Sequence, residues 1–141
     1  MRIALVTLYF PNYAPLADVI LPNWREYCER HGYGLMAFCG THPTDHRAIG
    51  FQKTSLVYDE LFGRENKWDA FFVLDLDILI TNFTQKVEDF LDTEHDYFTT
   101  TGFNGLCNGS FIVRKTSRAK QVIEWMIANH HGHQNEQDTL K

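Results

Sequence analysis

Residues 70–77, Ala-Phe-Phe-Val-Leu-Asp-Leu-Asp, decide the fold class of this chain. An unbroken apolar run of this kind is typical of a strand that is buried on both faces, as the inner strands of a mostly parallel sheet are. The run ends abruptly at Asp75 and Asp77. Open α/β sheets bind their ligands beyond the carboxyl ends of their strands. The segment therefore predicts an α/β fold with two carboxylates at the ligand-binding edge of its sheet.

The segments on either side predict one domain over residues 1–141, because this length supports one sizeable core but hardly two. Apolar runs and turn residues predict further strands at 3–10, 35–39, 97–101 and 110–113. Helical composition or spacing predicts helices at 18–31, 51–62, 85–91 and 119–127, and a polar loop at 40–47. Pro22 is expected at a start or a break of the first helix, because proline lacks a backbone N–H.

The composition excludes several classes of protein. A net charge of −5 argues against broad binding to nucleic acid or to an anionic membrane, since both need a basic surface. No stretch approaches the roughly 20 apolar residues of a membrane span, and no signal peptide is visible. Cys28, Cys39 and Cys107 form no CxxC pair, which favours a reducing compartment. The sequence thus predicts a cytoplasmic domain without a membrane span.

Asp75 and Asp77 would repel one another if both stayed ionised without a partner, so the pair needs a cation or a shared proton. Carboxylate oxygens prefer hard ions such as Mg²⁺ or Mn²⁺, which keep coordination positions open for phosphate oxygens. This chemistry suits the diphosphate of a nucleotide. The alternative is that the two aspartates only begin a turn and cap the next segment, as aspartate often does.

Four segments that follow one another along the chain are similar to motifs of one family: residues 23–33, 72–82, 104–114 and 136–138. They resemble, in order, the N-terminal helix and turn, the DxD segment, the Asn-x-Gly-Ser-Phe strand and the Glu-Gln-Asp element of GT-A glycosyltransferases. The resemblance is to the galactosyl- and mannosyltransferase family, which includes yeast mannan-elongating enzymes and plant xyloglucan xylosyltransferases. It implies a Rossmann-like GT-A fold and transfer of a sugar from a UDP- or GDP-linked donor to a glycan hydroxyl, with retention of anomeric configuration.

The same resemblance implies roles for individual residues. Asp75 and Asp77 would bind Mn²⁺ or Mg²⁺, and Asp75 would also hold the donor ribose. Further donor contacts would come from Thr7, Tyr9, Lys53, Leu76 and Gly109. The catalytic group would be Asn108, Gln137 and Asp138, and Asp138 would stabilise positive charge at the anomeric carbon.

Ordinary structural alternatives remain open for these residues. A solvated surface lysine is an equally good account of Lys53, and a tight turn entering a strand is an equally good account of 108–110. Residues 136–138 are also typical of the polar start of a helix. His130, His131 and His133 suggest a metal site, but a solvated loop after a helix explains them more simply.

Two further functions fit the acidic pair. Phosphatases of the haloacid-dehalogenase type use Asp-x-Asp after a buried strand, with Asp75 as nucleophile and Asp77 as acid and base. Their motif normally continues with Thr two residues after the second Asp and lies near the N-terminus of the fold. Here that position is Leu79, and two predicted strands come first. Enzymes of the resembled family usually complete the metal site with a histidine well beyond the Glu-Gln-Asp element, and this chain stops at Lys141. The sequence therefore predicts a C-terminally incomplete domain, a substitute histidine, or a non-catalytic sugar-nucleotide-binding remnant.

Overall fold

The computed structural model describes residues 1–41, 48–102 and 105–129, the side chains of 48–50 excepted. Five strands form one sheet. They are β1 (Ile3–Tyr9), β2 (Gly34–Cys39), β3 (Ala70–Leu74), β4 (Tyr97–Gly102) and β5 (Gly105–Arg114). The α-helices are α1 (Ala14–His31), α2 (Ala48–Tyr58) and α3 (Ser117–Ala128). None of the helices in these ranges is long and apolar enough to cross a membrane.

The sheet has the strand order β2-β1-β3-β5-β4. Strand β1 pairs in parallel with both β2 and β3, and α1 and α2 provide the two crossover connections. Strand β5 then pairs antiparallel with β3 and with β4. The predicted α/β fold is confirmed, with parallel strands in the half of the sheet that contains β1. The buried run 70–74 is the strand where the parallel and antiparallel halves meet.

Helices cover both faces of the sheet. Alternate residues of β1 point to opposite faces, as the period of two in a strand requires. Ile3 and Leu5 pack against α1, whereas Ala4 and Val6 pack against α2 and α3. Because β3 lies between these two layers, four of its five residues are buried, and the continuous apolar run is explained.

Helix α1 continues through Pro22, which contradicts the expectation that proline would start or break it. The helix begins at Ala14, near Pro15, and ends at His31, where Gly32 caps it with a φ of 72°. Pro22 itself is exposed, so the carbonyl that loses its helical N–H partner lies on the solvent side and can bind water. Burial of Ile20 and Trp24 on the opposite side stabilises the helix across the proline.

Three other elements differ from their predictions in extent or type. The helix predicted at 85–91 is a short 3-10 helix over Val87–Phe90. The helix predicted at 51–62 is α-helical only to Tyr58 and ends in a π-helical turn over Asp59–Gly63. The strand predicted at 110–113 is longer, because β5 forms a hairpin with β4. The predicted loop 40–47 lies outside the described residues from position 42 onward.

Candidate functional site

The two aspartates lie on a tight turn at the carboxyl end of β3. Asp75 is the first residue beyond the strand, and its N–H donates to the carbonyl of Gly109 at 2.7 Å. The carbonyl of Asp75 in turn accepts from the N–H of Ile78 at 3.1 Å, which closes a four-residue turn. Leu76 points into the core beneath α1, whereas Asp77 is exposed at the apex. The turn therefore presents Asp77 to solvent and anchors itself through Leu76, for which the resemblance had implied a donor contact.

Lys53 holds the carboxylate of Asp75. Its ammonium lies 2.8 Å from Asp75 Oδ1 and 2.8 Å from the carbonyl oxygen of Asn108. Only 7% of the lysine is exposed, so it is not a solvated surface residue. A buried ammonium is strongly destabilised unless it is paired and hydrogen-bonded, and these two acceptors provide that stabilisation. The lysine that the resemblance assigned to the donor is thus engaged with the acidic turn.

Gly109 gives the Asp75 carboxylate the space that it occupies. A Cβ atom at position 109 would lie 3.2 Å from Asp75 Oδ2 and 3.7 Å from Cys107 Sγ. The φ of Gly109 is not positive, so the close approach of the carboxylate, and not backbone strain, is the reason for glycine here. One carboxylate oxygen of Asp75 therefore faces Lys53 and the other faces the backbone of β5.

Asn108 lies beneath this arrangement and is 1% exposed. Its side-chain Oδ1 accepts from the Tyr97 hydroxyl and from Thr99 Oγ1, both at 3.2 Å. The contact of its amide with a sugar hydroxyl, which the resemblance implied, stays a prediction. Asn108 supports the site through its backbone carbonyl, which accepts from Lys53.

Thr7 and Tyr9 lie at the same edge of the sheet, at the carboxyl end of β1. Thr7 follows Val6, the last residue of β1 in register with β3, so it lies beside the end of β3. Thr7 is fully buried, and its hydroxyl has no hydrogen-bond partner among the described residues. Tyr9 is half-buried and packs against the core beneath α1. The structure brings both residues to the predicted edge, but only Tyr9 reaches the surface.

Side chains of α1 hold the segment that follows the acidic turn, and residue chemistry alone did not identify them. Asn23 and Trp24 bind backbone groups of Ile78 and Ile80, and the Tyr27 hydroxyl donates to the carbonyl of Gln85. The signal was present, since these residues belong to segment 23–33 of the resemblance. Two motifs that are about 50 residues apart in the sequence are therefore in direct contact.

The donor atoms at the turn fit a hard divalent cation. Asp75 and Asp77 offer carboxylate oxygens, and Asp77 makes no hydrogen bond or ion pair with any side chain in the described ranges. Hard ions of this kind are bound by one or two carboxylates together with substrate phosphates and water. Within residues 1–41, 48–102 and 105–129 no three His, Cys, Asp or Glu side chains come together as a complete metal site. The two carboxylates are too few to complete a metal site, so a bound phosphate group that adds oxygen ligands to the ion suits them.

Several predicted site residues belong to the C-terminal segment after residue 129. Gln137 and Asp138 lie outside the described residues, as do His130, His131 and His133. The expected third ligand of the metal therefore stays a prediction.

The fold is shared with solved glycosyltransferases. No protein-family model and no curated protein matches the sequence. A glycosyltransferase involved in the glycosylation of the major capsid of PBCV-1 superimposes with a TM-score of 0.78 at 20% identity, over 99% of this chain and 74% of that one.

Two structures of Drosophila β-1,4-galactosyltransferase 7 superimpose with TM-scores of 0.58 and 0.56 at 15% and 16% identity. Each match covers 89% of this chain but only 52% and 51% of theirs, so this chain spans about half of their length. One was solved with manganese, UDP-Gal and xylobiose, the other with xylobiose. At these identities the comparison establishes the architecture: the chain has the α/β fold of the GT-A glycosyltransferases.

Proposed function

We propose that this chain binds the nucleoside diphosphate sugar donor of a metal-dependent glycosyltransferase. The observation that carries the proposal is the acidic turn at the carboxyl end of β3, with Asp77 exposed at its apex and Asp75 fixed by Lys53. Ligands of open α/β sheets bind at this edge. The GT-A fold supports the assignment, because it is the fold of enzymes that use such donors.

Asp75 and Asp77 would hold Mn²⁺ or Mg²⁺ through their carboxylate oxygens. When bound, the ion offsets the negative charge of the departing nucleoside diphosphate. Lys53 keeps Asp75 in one orientation and balances part of the negative charge that two adjacent carboxylates accumulate. Gly109 has no side chain, so the Asp75 carboxylate can lie against the backbone of β5.

A UDP-linked donor is the first one to test. One structure with the same fold was solved with manganese and UDP-Gal, which favours uridine over guanosine by analogy. Tyr9, at the neighbouring end of β1, is in our proposal the residue nearest to the base. Transfer of a hexose or pentose to a glycan hydroxyl, with retention and with Gln137 and Asp138 at the reacting sugar, completes the proposal and rests on the sequence resemblance.

Calorimetric titration tests the proposal directly. UDP, GDP and their sugars are titrated into the protein with and without Mn²⁺, and the titration is repeated on Asp77→Asn. This change keeps the shape of the side chain but removes the charge that binds the metal. Asp18→Asn is the matched control, because Asp18 is also exposed but lies on α1, outside the acidic turn.

We expect one nucleotide to bind only in the presence of Mn²⁺. Asp77→Asn should abolish that binding, whereas Asp18→Asn should not. Binding without turnover in the presence of glycan acceptors would instead identify the non-catalytic remnant. A phosphoaspartate trapped at Asp75 would identify the phosphatase. If no nucleotide binds under any condition, the proposed function is wrong for this chain.

A further inference from the structure

The backbone of the acidic turn is fixed before and after Asp77. Before it, the N–H of Asp75 is bonded to β5, and Leu76 is only 7% exposed within the core beneath α1. After it, Ile78 and Ile80 lie in a segment without regular secondary structure, so neither a sheet ladder nor a helical turn satisfies its backbone. The backbone groups of that segment need other partners, since unpaired groups that lose water are costly.

The side chain of Asn23 binds both backbone groups of one residue in that segment, Ile80. Its Oδ1 accepts from the N–H of Ile80 at 3.0 Å, and its Nδ2 donates to the carbonyl of Ile80, also at 3.0 Å. A side-chain amide that satisfies both backbone groups of one residue imitates the pairing of a neighbouring strand. The irregular segment is thereby held against α1 in a single register.

Trp24 provides the partner nearest to the turn. Its indole Nε1 donates to the carbonyl of Ile78 at 2.9 Å, and the ring is fully buried. The N–H of the same residue, Ile78, closes the turn on Asp75. Both backbone groups of the residue that follows Asp77 are therefore bonded.

The consequence for Asp77 is conformational. Its side chain is exposed, yet the residues on both sides of it are held by the core, by β5 and by α1. A metal ligand on a free loop loses backbone entropy when the ion binds, at roughly 1–2 kcal/mol per residue that becomes fixed. A ligand whose backbone is already fixed avoids that loss, which is the advantage of preorganisation.

We infer that Asn23 and Trp24 are positioning residues that hold the backbone of residues 78–80 and so preorganise Asp77 for a divalent cation. The inference rests on the proposed function, because it concerns the metal that this function requires. Neither side chain touches the metal or the donor in this account. Both act through the backbone that follows the acidic turn.

The test compares two changes on the same face of α1. Asn23→Ala removes both bonds to Ile80. Tyr27→Phe removes the hydroxyl that donates to the carbonyl of Gln85 at 2.7 Å, at the far end of the same segment. Burial raises the pKa of Tyr27 to about 12, so this hydroxyl stays protonated at neutral pH and the control removes a true donor. Each change deletes side chain–backbone bonds between α1 and the segment, but only Asn23 acts close to Asp77.

The first readout is the affinity for Mn²⁺ and nucleotide, measured by calorimetry on the whole chain. We expect Asn23→Ala to weaken binding on the order of 10-fold, as loss of a group that orients a metal ligand does. Tyr27→Phe should bind with nearly wild-type affinity, although both variants should unfold at lower urea concentration. If Asn23→Ala does not fold, Asn23→Ser, which keeps at most one of the two bonds, is expected to show an intermediate loss.

The second readout needs neither metal nor activity. Hydrogen exchange of the Ile80 amide in the metal-free protein should be protected in wild type and in Tyr27→Phe, and fast in Asn23→Ala. Equal affinity of wild type and Asn23→Ala would overturn the inference and leave the proposed function intact. An equal loss in Tyr27→Phe would overturn it too, because general loosening of the segment would then suffice. If wild type binds no nucleotide with Mn²⁺, the proposed function itself fails and the role in metal binding fails with it.

Discussion

The ammonium of Lys53 lies 2.8 Å from a carboxylate oxygen of Asp75, and the two side chains differ sharply in exposure, at 9% and 47%. The pair joins α2 to the end of β3. The buried lysine thus pairs with a carboxylate at the surface, and this carboxylate remains accessible on one side. This arrangement fixes the direction of Asp75 and leaves its second oxygen beside Gly109.

Replacing the cation of this pair should destabilise the fold. Lys53→Met keeps an unbranched side chain but removes the donor to Asp75 and to the Asn108 carbonyl. We expect the free energy of unfolding to fall by about 1–3 kcal/mol, the cost of leaving a buried polar group without its partner. Urea denaturation followed by tryptophan fluorescence measures it.

A double-mutant cycle provides the control for the pair. In Lys53→Met/Asp75→Asn the uncompensated carboxylate is also removed, so the combined loss should be smaller than the sum of the two single losses. Strict additivity would show that the two side chains are not energetically coupled and would contradict the pairing.

The space above Gly109 should matter more for binding than for folding. In Gly109→Ala the new methyl group would lie 3.2 Å from Asp75 Oδ2, so the half-exposed carboxylate must shift by a few tenths of an ångström. We expect nearly unchanged stability, because alanine also reduces the entropy of the unfolded chain. The Mn²⁺-dependent affinity for nucleotide should fall, as measured by calorimetry.

Gly102→Ala on β4 is the matched control, since its Cβ would make only an ordinary 3.7 Å contact with the Cβ of Cys107. Unchanged nucleotide affinity in both variants would show that nucleotide binding does not require the observed position of Asp75.

The start of β2 depends on a glycine for a different reason. A Cβ at Gly34 would overlap the indole ring of Trp68 at Cη2, so the ring or the strand would have to move. We expect Gly34→Ala to lower the free energy of unfolding by about 1–3 kcal/mol through overpacking. Trp68→Phe, with a shorter ring, should recover part of the loss in the double variant.

Gly32→Ala separates overpacking from backbone strain. Gly32 has a φ of 72°, and in the described residues, its neighbours in the chain aside, no atom lies within 4 Å of the position that a Cβ would take, so its substitution is costly through conformation. Urea denaturation should show that Trp68→Phe does not rescue Gly32→Ala. Rescue of both variants, or of neither, would refute the contact between Gly34 and Trp68.

The ion pair between Arg2 and Asp69 should make the stability of the folded chain depend on pH in the acid range. Hydrogen bonds from the Arg2 side chain and from its backbone N–H lower the pKa of Asp69 from 3.8 to about 2. Because the folded pKa is depressed, the stabilisation is complete above the unfolded value of 3.8 and is lost as the pH falls towards 2.

Carbon-detected NMR titration of the Asp69 carboxyl measures this shift. Arg2→Gln should raise the midpoint towards the ordinary aspartate value, but only in part, because the backbone N–H of residue 2 still donates to Asp69. A wild-type midpoint near the ordinary value would contradict the ion pair.

The sequence predicted the elements whose burial is visible as a local pattern of apolar residues. It missed the features that depend on contacts between residues far apart in the sequence. The run 70–74 was placed correctly, because a short strand buried on both faces is typically apolar throughout. Pro22 was judged by its missing N–H alone, whereas packing of Trp24 and its neighbours keeps α1 continuous. Local propensity is a weak guide wherever tertiary packing is strong.

The candidate site shows the same division. Residue chemistry pointed to Asp75 and Asp77 as candidates, since an acidic pair after a buried strand is a local pattern. The partner of Lys53 could not be predicted, because it lies 22 positions further along the chain, beyond a π-helical turn whose path the sequence does not define. The inward orientation of Asn108 depends on Thr99 and on the register of β4 with β5, which the pattern of single strands leaves open.

Paramagnetic broadening by Mn²⁺ measures directly where in the chain the metal binds. Mn²⁺ is titrated into ¹⁵N-labelled protein in the presence of UDP, and the loss of each amide signal is recorded. We expect amides 75–78 and Gly109 to broaden first, and the amides near the exposed acidic residues Asp92 and Glu94 to be affected only at much higher Mn²⁺. Broadening centred on Asp92 and Glu94, or none at the acidic turn, would show that Asp75 and Asp77 do not hold the metal.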